Sequence, residues 1–267
     1  MDKQSVKLRS TKHHHGGNMR LIFLSPHLDD AIYSCGGTLW QQRQQGHPVE
    51  IWTIFAGDPS GDLTPFAHEL HTRWGVGNEA VKPRRMEDIT ACRMLGVQYR
   101  HFPYPDCIYR RIPTTGEPVI MVNDDLFKPV KEGEQPLAHQ IAADLVKSNP
   151  EGALVLCPLG VGGHVDHRLT RMAAEFSGLP LAFYADFPYS ADPTVDIASL
   201  IPSGSQLIHL EFNDLAIDHW IKAVGAYRSQ LSSFWVSESQ MAEEVRAYAH
   251  TTSGSTFWMQ IAYSQNQ

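Results

Sequence analysis

Short, mainly apolar runs alternate along this chain with longer stretches in which apolar residues recur every three or four positions. The first run, residues 19–24 (MRLIFL), has the length and composition of a strand buried on both faces. Residues 31–45 carry helical spacing ended by Gly46, and residues 47–55 (HPVEIWTIF) predict a second strand. AGDPSGD after it is a turn-rich loop. A helix is predicted over 82–95, stopped by Gly96, and VQYRHFPY extends behind it as a strand. From Pro105 to about Pro136 the periodicity lapses, and proline, glycine and charge predict a long loop or hairpin. The alternation then resumes: a helix over 137–147, a buried strand over 152–157 (GALVLC), a helix over 167–176 and a strand, LAFYADF, from Leu181. A long helix over 214–230 and another in SQMAEEVRAYAH complete the pattern.

Strands alternating with helices predict an α/β fold: one Rossmann-like domain, its sheet mainly parallel and flanked by helices on both faces. No internal repeat or linker divides residues 19–267. Residues 1–18 are polar and aperiodic, with a histidine triplet at His13, His14 and His15, and read as a flexible tail or a tag remnant. Gly36 and Gly37 read as close packing of the first helix on its strand.

Composition narrows the function. At 267 residues and 42% hydrophobic, the chain can bury a sizeable core. A net charge of −7 gives no basic surface for nucleic acid or an anionic membrane. No apolar run reaches the length of a membrane span, and no signal-peptide core opens the chain, so a cytoplasmic protein is expected. Its four cysteines form no CxxC pair, which argues against a structural zinc site and for reduced, buried thiols. GVGG (160–163) is not a GxGxxG fingerprint, and no GxSxG nucleophile elbow is present.

Two segments carry chemistry. SPHLDD, directly behind the first strand, sets His27 beside the adjacent carboxylates Asp29 and Asp30. Two neighbouring carboxylates at the edge of a core are costly unless a positive charge compensates them. PLGVGGHVDHR, directly behind GALVLC, brings His164, Asp166 and His167. In open α/β sheets the ligand crevice lies beyond the carboxyl ends of the strands, so both loops can converge there. His27, Asp30 and one of the two later histidines would make a three-ligand site with an open position, the form of catalytic zinc. Asp29 can then accept a proton from water, and the remaining histidine can face an oxyanion or protonate the leaving group. Asp166 would orient that histidine and keep it protonated. Tyr184, Asp186 and Tyr189 would line the cleft if their strand ends beside this site.

SPHLDDAIYSCGGTL followed by HVDH resembles the PIG-L (LmbE-like) zinc-dependent N-deacetylases, which hydrolyse acetamido groups, mostly of N-acetylglucosamine-containing molecules. FAGDPSG, RRME before ACRMLGV, HFPYPDC, FYADFPY and KAVGAYRSQ extend the likeness over nearly the whole chain from Met19. The resemblance implies His27, Asp30 and His167 as zinc ligands and Asp29 as general base. It makes His164 the electrostatic or general-acid histidine, with Asp166 behind it, and assigns Arg84 and Asp106 to substrate; Asp186 and Tyr189 join them as candidate substrate contacts. Leu28 stands where the family usually has proline and Ala31 where it has glutamate, which bears on sugar recognition rather than on the ligands. The expected activity is zinc-dependent deacetylation of an amino sugar or glycoconjugate, with Fe2+ or Co2+ as alternative metals. A zinc hydrolase of another N-acyl amide or ester and a non-catalytic metal-binding module are the competing readings. Neither a nucleic-acid partner nor a membrane span is expected, and homo-oligomerisation is left open.

Overall fold

The computed structural model describes residues 18–260 apart from 76 and 78. The tail reading, with His13 to His15, therefore lies outside the described residues except for Asn18, whose side-chain amide donates to the Gly46 carbonyl at 2.6 Å. Seven strands form one sheet: β1 (Leu21–Ser25), β2 (Val49–Thr53), β3 (Gln98–His101), β4 (Leu154–Pro158), β5 (Leu181–Tyr184), β6 (Gln206–Leu210) and β7 (Ser255–Met259). Their order is β3-β2-β1-β4-β5-β7-β6. The first five are mutually parallel, and β7 runs antiparallel between β5 and β6. β1 and β4 lie at the centre with every residue buried, which is why they read as unbroken apolar runs.

Among the described residues, eight helices cover the sheet. On one face, α1 (Asp30–Gln44), α3 (Val81–Leu95), α6 (Asp214–Val224) and α8 (Glu238–Thr252) share an apolar layer that includes Leu39, Ala91, Trp220 and Met241. On the other, α4 (Gln135–Ser148) and α5 (Val165–Ser177) bury Ile141, Leu145, Leu169 and Ala173 against the sheet. The remaining helices are α2 (Pro65–Arg73) and the single turn α7 (Arg228–Leu231). A third, smaller cluster, with Leu28, Phe66, Leu70, Ile108 and Ile112, caps the carboxyl ends of the strands.

The chain winds outward from β1 through β2 to β3, then returns to the other side of β1 for β4. That reversal between β1 and β4 is the topological switch point, where such sheets bind ligands.

Several elements differ from expectation. β6 and β7 were not predicted; β6 is an edge strand in which only Ile208 is fully buried, so no apolar run announces it. The long helix over 214–230 breaks after Val224. Tyr227 turns inward there, its hydroxyl donating to Asp88 at 2.7 Å and its ring packed edge-on against Tyr33. α2 begins at Pro65, with the Thr64 hydroxyl accepting from the Ala67 amide at 3.1 Å as its cap. The irregular segment holds a short hairpin, in which the Val119 amide donates to the Arg110 carbonyl at 2.9 Å, followed by two 3-10 turns. Gly36 serves helix-on-helix rather than helix-on-strand packing, because the Trp220 ring of α6 occupies the space of a Cβ there.

Candidate active site

The turn after β1 is folded by Ser25, whose hydroxyl donates to the His27 carbonyl at 2.6 Å and accepts from the Ala31 amide at 2.9 Å. This double bond brings His27, Asp29 and Asp30 onto the crevice side before α1 departs. After β4, Gly160, Gly162 and Gly163 all adopt positive φ. At Gly162 the Tyr189 ring lies 2.6 Å from where a Cβ would be, so only glycine admits this loop beside β5's extension. The loop delivers His164 as N-cap of α5, which starts at Val165, two residues ahead of the predicted start, with Asp166 and His167 in the first turn.

Both loops converge. Asp30 Oδ2 lies 3.1 Å from His27 Nδ1 and 3.3 Å from His167 Nε2. Nitrogens of His27, His164 and His167 lie within 4.8 Å of one another. The far nitrogens of two of these rings are held by buried carboxylates: His27 Nε2 by Asp166 at 3.2 Å, and His167 Nδ1 by Asp186 at 2.7 Å. Those bonds fix each ring's N–H outward and turn its lone pair toward Asp30. Two lone pairs and a carboxylate oxygen cannot share one point without positive charge between them. In the metal-free protein protons provide it. Burial alone would lower both histidines. The Asp106, Asp166 and Asp30 carboxylates instead raise His27 well above its ordinary value, and Asp30 and Asp186 raise His167 to about 10. The same donor set suits a divalent cation.

Asp29 differs from its neighbour. Among the described residues its carboxylate has no hydrogen-bond partner, and its nearest cation is the Arg84 guanidinium at 3.9 Å. Burial, followed by the adjacent Asp30 charge, pushes it up to about 8, with Arg84 and His27 opposing. Arg84 stacks on Trp74 at 4.8 Å and approaches Asp106 at 3.9 Å, while its Nε is buried without a partner among the described residues. His27, Asp29, Asp30, Arg84, Asp106, His164, His167 and Tyr189 line one cavity of about 390 Å³, ample for a small molecule.

Three expectations change. Asp186 is 2% exposed; one oxygen takes His167 and the other the amides of Gly160 and Val161, so it does not face the cleft. Asp166 does not carry His164: its carboxylate turns away to Arg110, the Cys107 amide and His27. His164 Nδ1 accepts instead from the Asp166 backbone amide at 3.2 Å, which leaves Nε2 as the N–H of a neutral ring. Burial, with His27 and His167 beside it, holds His164 well below 6.5, so it is not kept protonated. Tyr184 is buried, its hydroxyl donating to the Leu24 carbonyl at 2.7 Å, and is not among the residues that line the active-site cavity. Sequence reasoning also missed Arg110 and Glu134 behind the site and Trp74, Phe127 and Phe234 in its walls. No motif or periodicity marks any of the five.

A family model described as PIG-L, GlcNAc-PI de-N-acetylase, matches residues 22–176, which takes in both motif loops. The chain belongs to the PIG-L family. A 2'-N-acetylparomamine deacetylase from Niallia circulans is 34% identical over 188 residues, 63% of this chain and 66% of that protein. One from Streptomyces fradiae is 27% identical over 230 residues, 82% of this chain and 76% of its own length. The zinc-inhibited form of teicoplanin deacetylase Orf2 matches with a TM-score of 0.81 at 29% identity, covering 92% of this chain and all of that one. These relatives are deacetylases in name, and the mixed seven-stranded α/β fold of this chain matches that of the teicoplanin deacetylase.

Proposed function

We propose that this PIG-L protein is a zinc-dependent N-deacetylase acting on the acetamido group of an N-acetylglucosamine-containing small molecule or glycoconjugate. One observation carries the reading: two histidine ring nitrogens and the Asp30 carboxylate converge beside a buried Asp29 that has no hydrogen-bond partner among the described residues. His27, Asp30 and His167 would hold the cation, which when bound polarises the amide oxygen and lowers the pKa of water. Asp29 takes the proton of the attacking water and returns it to the departing amine. The His164 Nε2–H donates to the developing oxyanion. Arg84, Asp106 and Tyr189 face the same cavity and supply hydrogen bonds for sugar hydroxyls. The relatives named as 2'-N-acetylparomamine deacetylases support this substrate class.

An unbonded Asp29 argues against a binding-only module, which has no use for a base. Phe127 and Phe234, both partly exposed, add apolar surface to the cavity wall, and this favours, as a second reading, a substrate with a larger acyl group. Among the described residues no helix is long and apolar enough to cross a membrane. Four free, buried cysteines suit a cytoplasmic setting.

Acetate release from a panel of N-acetylated sugars tests the reading. Turnover should vanish with chelator and return with Zn2+, Co2+ or Fe2+. A metal-loaded protein that frees no acetate from any acetamido sugar, or one indifferent to chelator, would refute it. Asp186→Asn should weaken metal binding by about 10–100-fold, since it removes the carboxylate that orients His167. Unchanged affinity in equilibrium dialysis would mean that His167 needs no such support.

A further inference from the structure

We infer that Arg110 is a positioning residue for the metal centre, fixing the imidazole of His27 through Asp166 while anchoring the loop that walls the cleft. The inference rests on His27 being a metal ligand. Arg110 is 7% exposed and fully engaged. Nη2 donates to Asp166 Oδ1 at 2.6 Å, Nε to Glu134 Oε1 at 2.8 Å and Nη1 to the Pro105 carbonyl at 3.1 Å. Its guanidinium lies 4.7 Å from the centre of the Phe55 ring, and that ring packs against His27 at 6.2 Å.

Asp166, wholly buried, has no slack. One oxygen is held by Arg110; the other accepts from the Cys107 amide at 2.9 Å and faces His27 Nε2 at 3.2 Å. Removing the guanidinium would leave the buried Asp166 carboxylate held by the Cys107 amide alone, free to turn away from His27. That rotation costs His27 the acceptor that sets its ring. A planar fork does this where an ammonium cannot, because Asp166 and Glu134 are bridged from different edges of one rigid group. Pro105 and Glu134 bracket the irregular segment that supplies Asn123, Leu126 and Phe127 to the cavity wall. One side chain thus joins the base of that wall to a metal ligand.

The test is Zn2+ affinity of the full chain, measured by competition with a chromophoric chelator. Arg110→Met should bind Zn2+ about 10–100-fold more weakly than wild type, the span for losing an outer partner of a ligating histidine. Arg110→Lys keeps the charge without the fork and should fall between the two, so it decides the matter if the methionine variant fails to fold. Ile141→Ala, which opens a cavity in the α4 core, controls for general loss of stability and should keep wild-type affinity. Wild-type affinity in folded Arg110→Lys, or an equal loss in Ile141→Ala, would overturn the inference. A wild-type protein that binds no Zn2+ would instead defeat the metal reading beneath it.

Discussion

Asp30→Ala is expected to leave the protein metal-free and inactive, whereas Asp29→Asn keeps its metal and loses roughly two to four decades of turnover. The two residues are sequence neighbours with the same chemistry, and their surroundings separate them. Asp30 Oδ2 faces both ligand histidines and also accepts the His27 backbone amide at 2.7 Å. Its loss removes a donor and loosens the turn that presents His27. Burial would raise Asp30, but His167 and His27 pull it well below the usual carboxylate range, so it stays an anion. Arg84 at 3.9 Å and His27 only partly offset burial and the Asp30 charge, so at about 8 Asp29 holds a proton at neutral pH until a cation favours its charged form. A base must be deprotonated to work. The rate should therefore fall on the acid side as Asp29 takes up its proton, at a pH below about 8 once metal is bound, and Asp29→Asn should lack that limb. The stability sign follows from the same shift. Between roughly pH 4, the unfolded value, and about 8, the metal-free fold binds more protons than the unfolded chain. Its stability at this residue therefore declines as pH rises through that window. Near-normal turnover in Asp29→Asn would assign the base to another group.

The ligand residues were legible because each follows a fully buried strand, and such strands at the switch point leave an unbroken apolar signature. Their supports were not legible. Asp166 stands two residues from His164, so sequence adjacency suggested a pair. The first turn of α5 instead turns its carboxylate to Arg110, 56 residues away, and to His27, 139 away. The carboxylate behind His167 comes from Asp186, which β5 brings alongside because it pairs with β4. Arg110 and Glu134 lie in an aperiodic stretch, where spacing says nothing about which side chains meet. Edge position concealed β6 for the opposite reason: QLIHL is half-solvated and carries no apolar run.

His167→Ala should come out metal-free, while His164→Ala should stay metal-loaded and turn over about 10²–10³-fold more slowly, the usual cost of one oxyanion donor. Spacing alone left these two histidines interchangeable. The carboxylates separate them: Asp186 holds His167 Nδ1 at 2.7 Å and so presents Nε2 as a lone pair, the arrangement common to metal-ligating histidines. Among the described residues no carboxylate is bonded to the His164 ring. Its Nδ1 is occupied by a backbone amide, so the neutral ring presents an N–H, which suits an oxyanion and not a cation. A neutral donor also has no proton to lose near pH 8. His164→Ala should therefore lower the rate by a similar factor across the pH range and leave the shape of the profile as it is in wild type. Metal analysis of the two variants gives one check and the pH profile the other. If His164→Ala is the metal-free protein, the roles are reversed. If it keeps its metal but loses a basic limb seen in wild type, His164 works as a protonated acid, and the neutral-donor assignment fails.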